Sequence, residues 1–180
     1  VFYGQTQRGR TLPDLERREG VDVHLRYDLP TEAEWEWACR AGSGSRFWWG
    51  DEVDKTGKRI NAGDRTLKRV HPDWPRETMP MDDGFPFPAP IGTFSANPFG
   101  LHDMLGNVQE WVEDCWHHDY QGAPTDGEAW TTNCSGGHVL RGGSWGNLPS
   151  EIRFAVRAPN NNKYRGVRVQ THGFRVAKDL

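Results

Sequence analysis

The 180-residue sequence has little of what marks several common classes of protein. Only 35% of its residues are hydrophobic, its mean hydropathy is -0.82, and no apolar run approaches the roughly 18 residues that a membrane-spanning helix needs. Its net charge of -3 lacks the basic excess that attracts nucleic acid or anionic membranes. We therefore expect neither a nucleic-acid partner nor insertion into a membrane.

The amino terminus does not identify a cellular compartment. The chain starts Val1-Phe-Tyr-Gly, with neither an initiator methionine nor a secretory signal pattern. Such a start is consistent with a piece of a longer protein, so neither localisation nor oligomeric state is predicted.

Cysteine is scarce. Cys39, Cys115 and Cys134 allow at most one intramolecular disulfide and leave one thiol over. Their spacing matches no zinc-binding pattern. Buried or bystander thiols are the interpretation that the residues favour.

Motifs of several enzyme classes are missing as well. The chain contains no Gly-x-Ser-x-Gly elbow, no phosphate-binding loop and no dinucleotide fingerprint. His117-His118-Asp119 is the one local cluster that suggests a non-haem iron centre, but adjacent residues on a strand point to opposite faces. An exposed loop explains this cluster better, so we predict no catalytic residue.

Tryptophan, glycine and proline are abundant instead. The chain holds 9 tryptophans, 21 glycines and 12 prolines, which favour a core of large rings and much backbone in turns. A length of 180 residues fits one domain, over residues 1–180.

The clearest predicted helix is Leu29 to Arg40. Thr31 is its expected N-cap, and Glu34 three residues later completes a capping box. Gly42 is expected to end it. One face of this helix is continued by Ala33, Trp37 and Cys39-Arg40.

Strand patterns are short and widely separated. Val21 to Tyr27 alternates apolar and polar residues with the period of a half-buried strand. Three further strands are predicted, at Val108–Trp116 around Trp111, at Val139–Trp145 and at Gly173–Ala177. Loops are expected over Gly42–Asn97 and Gly122–Gly137.

Three segments anchored by glycine and aromatic residues carry the strongest signal. They are Asn97-Pro-Phe-Gly-Leu-His-Asp-Met-Leu-Gly-Asn-Val-Gln-Glu-Trp111, Arg141-Gly-Gly-Ser-Trp145 and Gly173-Phe-Arg-Val176. With Leu29-Pro-Thr-Glu-Ala-Glu-Trp-Glu36, they resemble the formylglycine-generating (sulfatase-modifying factor) family, whose domain is a variant of the C-type lectin fold. The resemblance covers about Asp28 to Val176 and only weakly residues 1–27. It implies an α+β, C-type-lectin-like fold with little regular secondary structure.

The resemblance also shows which chemistry is missing. The family's copper-binding, oxidising enzymes carry a cysteine pair just after Gly-Gly-Ser-aromatic, but here Gly146 to Phe154 holds no thiol. Vertebrate members use a disulfide whose first half matches Cys39, and the expected partner falls at Phe154. That bridge cannot form. The resemblance therefore implies a protein with the family's fold but without bound copper.

Two calcium sites are candidates, both structural. Calcium takes six to eight hard oxygen ligands, and in the family the central motif binds it. The matching ligands are the side chains of Asp103 and Glu110 and the carbonyls of Gly106 and Val108. A second family site uses two side chains and two carbonyls and matches Asn61, Ala62, Asp83 and Phe85.

Each calcium site has a simpler alternative. Glu110 and Asn107 can merely cap a turn through hydrogen bonds to backbone. Asp83 can belong to a solvated acidic loop, because the linker between the two halves of the second site is longer than in comparable family members.

The interval from Trp145 to Gln170 is dense in side chains typical of recognition surfaces. The candidate ligand-binding residues are Trp145, Asn147, Glu151, Arg153, Arg157, Asn160, Asn162, Tyr164 and Arg168. An ordinary polar loop is the simpler alternative. The arrangement also resembles the variable proteins of diversity-generating retroelements, whose mutated segment ends close to a Gly-Phe-Arg.

These observations lead to a first hypothesis and two alternatives. The first is a non-catalytic domain whose ligand is a protein or other macromolecule and whose core contains Trp111, Trp145 and Phe174. The second is an enzyme or enzyme domain of the same superfamily, such as the C-terminal domain of an iron-dependent sulfoxide synthase. The third is an accessory domain of a signalling protein, fused to a kinase or nucleotidase.

Overall fold

The computed structural model describes residues 27–159 and 169–178. The elements in chain order are β1 (Tyr27–Asp28), α1 (Glu32–Arg40), α2 (Arg65–Val70), β2 (Gln109–Cys115), a 3-10 helix (Cys134–Gly136), β3 (His138–Arg141), α3 (Pro149–Ile152), β4 (Arg157–Pro159), β5 (His172–Phe174) and β6 (Ala177–Lys178). No helix in these ranges is long and apolar enough to cross a bilayer. Short helices and strands joined by long irregular stretches match the predicted α+β architecture.

A four-stranded sheet brings the three motif segments side by side. Its order is β4-β3-β2-β5, with β2 antiparallel to β3 and parallel to β5. Glu110 of β2 pairs with Arg141 on one side and Gly173 on the other. Glu110 and Gly173, which are more than 60 positions apart in the chain, therefore become direct neighbours in the sheet. A separate two-stranded sheet pairs β1 with β6.

Two predicted strands are shorter than expected. The strand predicted over Val139–Trp145 ends at Arg141, because Gly142 and Gly143 adopt φ values of +87° and +73° that leave the extended conformation. The strand predicted over Gly173–Ala177 is divided between β5 and β6, which belong to different sheets. Of the strand predicted over Val21–Tyr27, only Tyr27 lies among the described residues, and it begins β1.

Helix α1 confirms the predicted capping box, and only part of the predicted face is buried. Thr31 accepts a hydrogen bond from the Glu34 amide at 3.2 Å, and the Glu34 side chain accepts one from the Thr31 amide at 2.8 Å. Ala41, in a left-handed conformation, ends the helix one residue before the expected glycine. The buried positions of the helix are Glu32, Trp35, Ala38 and Cys39, whereas Ala33 and Trp37 are exposed.

The hydrophobic core lies between α1, the four-stranded sheet and the irregular linker. Its larger members include Trp35, Phe47, Met104, Val112 and Phe154.

Of the three aromatic residues expected in the core, only Trp145 is buried, at 7% exposure. Phe174 is 45% exposed and Trp111 is half-buried. The alternation of side chains along β2 explains Trp111, because Glu110 and Val112 occupy the inward face.

The linker predicted as a loop contains one short helix. Asp64 caps α2 by accepting hydrogen bonds from the amides of Thr66 and Leu67. The rest of residues 42–97 has no helix or longer strand and is held by hydrogen bonds to buried polar side chains such as Asp54.

Two of the three cysteines form a disulfide. Cys115 at the end of β2 is bonded to Cys134 in the 3-10 helix, and Cys39 is free and buried. The prediction of at most one disulfide is confirmed. The interpretation of the cysteines as buried or bystander thiols is wrong for Cys115 and Cys134. The bridge closes the exposed loop that precedes β3.

Candidate functional site

A buried ion pair joins the first and third motifs at the centre of the sheet. Arg175 donates to both carboxylate oxygens of Glu110, at 2.6 and 2.7 Å. Trp35 of α1 donates its indole N–H to the same carboxylate at 2.8 Å. Both charged side chains are almost fully buried. Glu110, a candidate calcium ligand, is thus already a hydrogen-bond acceptor for two neighbours.

The remaining members of the first calcium set lie in a tight turn. Asp103 Oδ2 accepts a hydrogen bond from the Gly92 amide at 2.8 Å, whereas its buried Oδ1 has no hydrogen-bond partner among the described residues. Burial raises the pKa of the Asp103 carboxyl and outweighs the hydrogen bond from Gly92, which lowers it. Gly106 has φ of +75°. An incompletely satisfied buried oxygen of this kind fits a cation ligand.

The structure brings the second calcium set together. Asp83 accepts hydrogen bonds from the amides of Phe85 at 2.7 Å and Ala62 at 3.1 Å. Asn61 lies next to Ala62, and its buried Oδ1 has no partner in the described part of the chain. Burial raises the pKa of Asp83 to about 7. A buried carboxyl with a raised pKa beside an unpaired amide oxygen also fits a cation.

The two sets of calcium candidates touch each other. The Asn107 amide donates to the Asn61 carbonyl at 2.9 Å, and Asn61 Nδ2 donates to Asn107 Oδ1 at 3.3 Å. Within the described ranges no group of three or more His, Cys, Asp or Glu side chains could hold a metal ion. Any cation at either place would therefore also use amide and backbone carbonyl oxygens, which is the ligand set typical of calcium.

Trp145, the first of the candidate ligand-binding residues, belongs to an aromatic cluster that the sequence did not predict. Its ring centroid lies 5.8 Å from that of Trp74 and 5.4 Å from that of Phe87, and Phe87 also contacts His71. The indole nitrogens of Trp74 and Trp145 are both buried without a hydrogen-bond partner among the described residues. Phe87 remains 41% exposed. We call these four residues the Trp145 cluster.

A polar network borders the Trp145 cluster. Arg76 forms an ion pair with Glu151 at 2.6 Å, and Glu151 also accepts from Asn147 Nδ2 at 3.1 Å. Asn147 Oδ1 accepts from the amide and hydroxyl of Ser144, each at 2.8 Å. Burial alone would raise the pKa of Glu151, but the hydrogen bonds from Arg76, the Leu148 amide and Asn147 hold it below its ordinary value.

A recess adjoins the exposed side of Phe87. It has a volume of about 520 Å³ and is lined by Phe87, Pro88, Val108, Val169, Gln170 and His172. Gln170 comes from the end of the predicted recognition interval, so this end of the interval lies beside the Trp145 cluster.

Two other candidate ligand-binding residues, Arg153 and Arg157, are not brought to this cluster. Arg157 donates to Glu32 at 2.6 Å and lies over the rings of Trp116 and Tyr120, so its contacts are structural. Arg153 donates to the Ser150 carbonyl and is exposed. Asn160, Asn162, Tyr164 and Arg168 lie outside the described residues.

Trp74, Phe87, His71 and Arg76 were missed because they lie in the proline-rich linker. Its concentration of aromatic side chains was the one available signal.

Within the described ranges, the free Cys39 thiol and the His117 ring occupy structural positions. Burial raises the pKa of the free Cys39 thiol far above its ordinary value, so the thiolate is suppressed. The ring nitrogens of His117 lie 3.0 Å from the carbonyl oxygens of Cys115 and Thr132. The His117 ring also stacks on Trp130 at 3.4 Å. These contacts agree with the loop interpretation of the histidine cluster.

Comparison with known protein families gives one match across almost the whole chain. The model of the sulfatase-modifying factor enzyme 1-like domain matches residues 3–180. The serine/threonine-protein kinase pkn1 of Chlamydia caviae is 36% identical over 155 residues, which are 84% of this chain and 21% of the kinase. The formylglycine-generating enzyme of Streptomyces coelicolor is 32% identical over 156 residues, which are 84% of this chain and 46% of the enzyme. The chain thus spans about a fifth to a half of these relatives.

Two solved structures have the same fold over most of the chain. PvdO from Pseudomonas aeruginosa matches with a TM-score of 0.71 and 34% identity, covering 92% of this chain and 56% of PvdO. Treponema denticola variable protein 1 matches with a TM-score of 0.60 and 26% identity, covering 87% of this chain and 49% of that protein. These matches confirm the C-type-lectin-like fold predicted from the three motifs.

Proposed function

Because the chain belongs to the sulfatase-modifying factor (formylglycine-generating enzyme) family, we propose that it uses the family scaffold as a non-catalytic ligand-binding domain. The binding face is centred on the Trp145 cluster and continues into the recess beside Phe87. Its ligand is a protein or another macromolecule other than nucleic acid, and the domain does not insert into a membrane. The similarity to Treponema denticola variable protein 1 supports a recognition role.

The unpartnered indole of Trp145 is the observation that carries this proposal. A buried N–H without an acceptor costs free energy, and a bound acceptor would recover it. Trp74 offers a second such donor beside it, and the half-exposed ring of Phe87 adds apolar contact area. Two buried indole donors beside a partly exposed aromatic ring would suit a ligand that presents carbonyl, carboxylate or hydroxyl oxygens.

The placement of the thiols supports a role without catalysis. The cysteine pair of the oxidising enzymes has no counterpart in Gly146 to Phe154. Within the described ranges the remaining free thiol, Cys39, lies on the buried face of α1, and burial raises its pKa. A cysteine nucleophile or copper ligand would need an accessible thiolate.

The finer proposal is that the chain is a variable protein of a diversity-generating retroelement. Its diversified segment would run from Trp145 to about Phe174, between the two framework motifs. Asn147 and the Asn160-Asn-Asn162 run are compatible with it, because asparagine codons are a main source of this variability.

Sequencing the genomic locus tests the retroelement proposal. We expect a neighbouring reverse transcriptase gene and an imperfect repeat of the codons for Trp145 to Phe174 that differs at adenines. A locus with neither feature would contradict the retroelement proposal but not the proposed binding face. That face is tested separately, by measuring ligand binding to the Trp145→Phe and Trp74→Phe variants.

Calcium is proposed as a structural ligand of both sets of candidates. Asn61 and Asp83 would supply side-chain oxygens at one site, with the carbonyls of Ala62 and Phe85. At the other, Asp103 would bind with the carbonyls of Gly106 and Val108, and Glu110 would share its carboxylate with Arg175. Bound calcium would neutralise buried carboxylates and would not touch the ligand.

An enzyme of the same superfamily is the second candidate. The matches to PvdO and to the formylglycine-generating enzymes favour it, because their identities exceed that of the variable protein. One form of this second candidate is the C-terminal domain of an iron-dependent sulfoxide synthase. Turnover of a cysteine-containing peptide or a small thiol by the purified chain would establish this alternative, and absence of turnover with copper or iron present would support the binding role.

A role within a signalling protein is the third candidate. The match to pkn1, of which the chain spans about a fifth, favours it. A kinase domain encoded in the same open reading frame would support this candidate. It is compatible with ligand binding at the Trp145 cluster, which would then serve the larger protein as a sensor.

A further inference from the structure

An open groove lies between the exposed face of α1 and the loop closed by the disulfide. It has a volume of about 610 Å³, and Asp114 lies in its lining. Trp37 on the helix side is 65% exposed, and Tyr120 on the loop side is 57% exposed. Ala33 and Pro124 add further apolar surface. The groove shares no lining residue with the recess beside Phe87 or with the Trp145 cluster.

The charged residues of this groove are mostly acidic. Its lining contains five acidic residues and one basic residue, Arg40. Ion pairs with arginines occupy Glu32 and Glu36, but none of the ion pairs in the described part of the chain includes Asp114, Asp126 or Glu128. Among the described residues, the exposed carboxylates of Asp126 and Glu128 therefore leave negative charge without an ion pair around an aromatic surface.

The negative surface continues past the end of the groove. A second recess of about 340 Å³ shares Gly127 and Glu128 with it and is also lined by Asp28, Glu34 and Glu113. Burial raises the pKa of Glu113, and the neighbouring carboxylates raise it further. A cation bound here would relieve that repulsion.

The loop wall is held in place before any partner arrives. The Cys115–Cys134 disulfide closes the loop, and the Cys115 amide donates to the Trp130 carbonyl at 2.8 Å. The Trp130 amide donates in turn to Asp114 Oδ1 at 2.9 Å. A preformed wall spares a partner the cost of ordering the loop.

We propose that this groove docks an extended, lysine- or arginine-rich segment of a protein partner. The aliphatic stems of its basic side chains would lie on Trp37, Ala33 and Pro124, and their charged ends would reach Asp126 and Glu128. A cation over the exposed Trp37 ring adds a cation–π contact. Two connected recesses suit several side chains in a row rather than one small cation. The scattered carboxylates do not suit a metal ion, because no described group of three could hold one.

Fluorescence anisotropy with the full 180-residue chain tests this proposal. The probes are a labelled peptide of alternating lysine and alanine and a matched peptide of alternating glutamate and alanine. We expect the lysine peptide alone to bind, and to bind more weakly as salt rises. Glu128→Lys should weaken its binding about five- to thirtyfold, and Trp37→Ala about three- to tenfold. Both changes are on exposed side chains, so the variants should fold.

Glu52→Lys is the matched control, because Glu52 is exposed, lies outside the groove and gives the same change in net charge. It should leave the affinity within about twofold of the unaltered chain. Binding of the lysine peptide should shift the indole NMR signal of Trp37 and leave that of Trp145 unmoved, which separates this groove from the Trp145 cluster. Equal weakening by Glu52→Lys, unchanged binding to Glu128→Lys or Trp37→Ala, or no binding at millimolar peptide would each overturn the proposal.

Discussion

Gly106 lies where the two sets of calcium candidates meet, at a φ of +75°. A Cβ at this position would lie 2.3 Å from the carbonyl oxygen of Asn61 and 2.6 Å from the Ile60 side chain. The turn therefore needs glycine both for its backbone conformation and for the close approach of another backbone segment.

Replacing Gly106 with alanine should be much more damaging than the same change at Gly100. Gly100 has a similar φ of +78° but open space around it, so Gly100→Ala should cost only about 1–2 kcal/mol of unfolding free energy. Gly106→Ala adds a backbone clash and should cost at least about 3 kcal/mol. Urea unfolding of both variants measures the difference, and equal losses would contradict the structure.

The Asp83 carboxyl should make the stability of the chain depend on pH, and bound calcium should reverse this dependence. Its pKa is 3.8 in an unperturbed carboxyl and about 7 in the folded protein. Between these values the folded state holds a proton that the unfolded chain has released, so stability should fall as pH rises from about 4 to about 7. In the presence of a calcium chelator, the Asp83→Asn variant should lose less stability over this pH range than the unaltered chain.

Added calcium provides the complementary measurement. At pH 7.5, a concentration 100 times the dissociation constant should stabilise the unaltered chain by about 2.7 kcal/mol, and Asp83→Asn by less. Asp73→Asn is the control, because Asp73 is exposed and outside both sets. No calcium-dependent shift in thermal unfolding of the unaltered chain would remove the calcium proposal.

Among the elements, the loop between β2 and β3 depends on a covalent bond as well as on hydrogen bonds to β2. The disulfide between Cys115 and Cys134 closes the loop, and Trp130 is hydrogen-bonded to the Cys115 amide and to Asp114. Three cysteines permit three pairings, and nothing in their spacing selects this one. Only the position of β2 against the 3-10 helix decides it.

Loss of the disulfide should destabilise the chain and loosen the acidic groove. A sequence separation of 19 residues predicts that Cys134→Ser costs about 2–4 kcal/mol. Chemical unfolding should show the same loss when the unaltered chain is reduced, and no further loss when the variant is reduced. A variant as stable as the oxidised chain would contradict this assignment.

Helix α1 shows what local sequence can and cannot predict. Its N-cap and capping box depend on residues three positions apart, so Thr31 and Glu34 were enough to locate them. The local sequence did not show which face of the helix is buried, because Trp35 and Trp37 are chemically alike. Contact with Glu110 of β2 buries Trp35. That contact spans 75 positions and has no local signature.

At the scale of the whole molecule, the Glu110–Arg175 ion pair connects the central motif to the C-terminal motif and, through Trp35, to α1. A buried pair of this kind is costly to break, because the remaining charge has no partner and little water. The central motif, the C-terminal motif and α1 therefore depend on one another for stability.

Arg175→Met should lower the unfolding free energy by about 3–5 kcal/mol by leaving Glu110 charged and buried. The double variant Glu110→Gln with Arg175→Met should recover part of that loss. Arg69→Met provides the control, because its ion pair with Asp82 is exposed and should matter far less. Thermal and urea unfolding would measure all three. Additive losses in the double variant would contradict the coupling.

Only part of the candidate site was predicted from the sequence, because contacts between residues distant in the chain have no local signature. Trp145 was found because it lies inside a recognisable motif. Trp74 and Phe87 were not, since they come from the linker and reach Trp145 only in three dimensions. Arg157 has the chemistry of a recognition residue, yet Glu32 and two aromatic rings hold it.

The sequence by itself determined the family framework, the capped helix and the absence of a thiol between Gly146 and Phe154. These features depend on residue types and on short spacings along the chain. Tertiary structure alone decided which aromatic rings are buried, which cysteines pair and which carboxylates remain unneutralised. Burial and electrostatic pairing depend on neighbours that are distant in sequence, so they become defined only when the chain is folded.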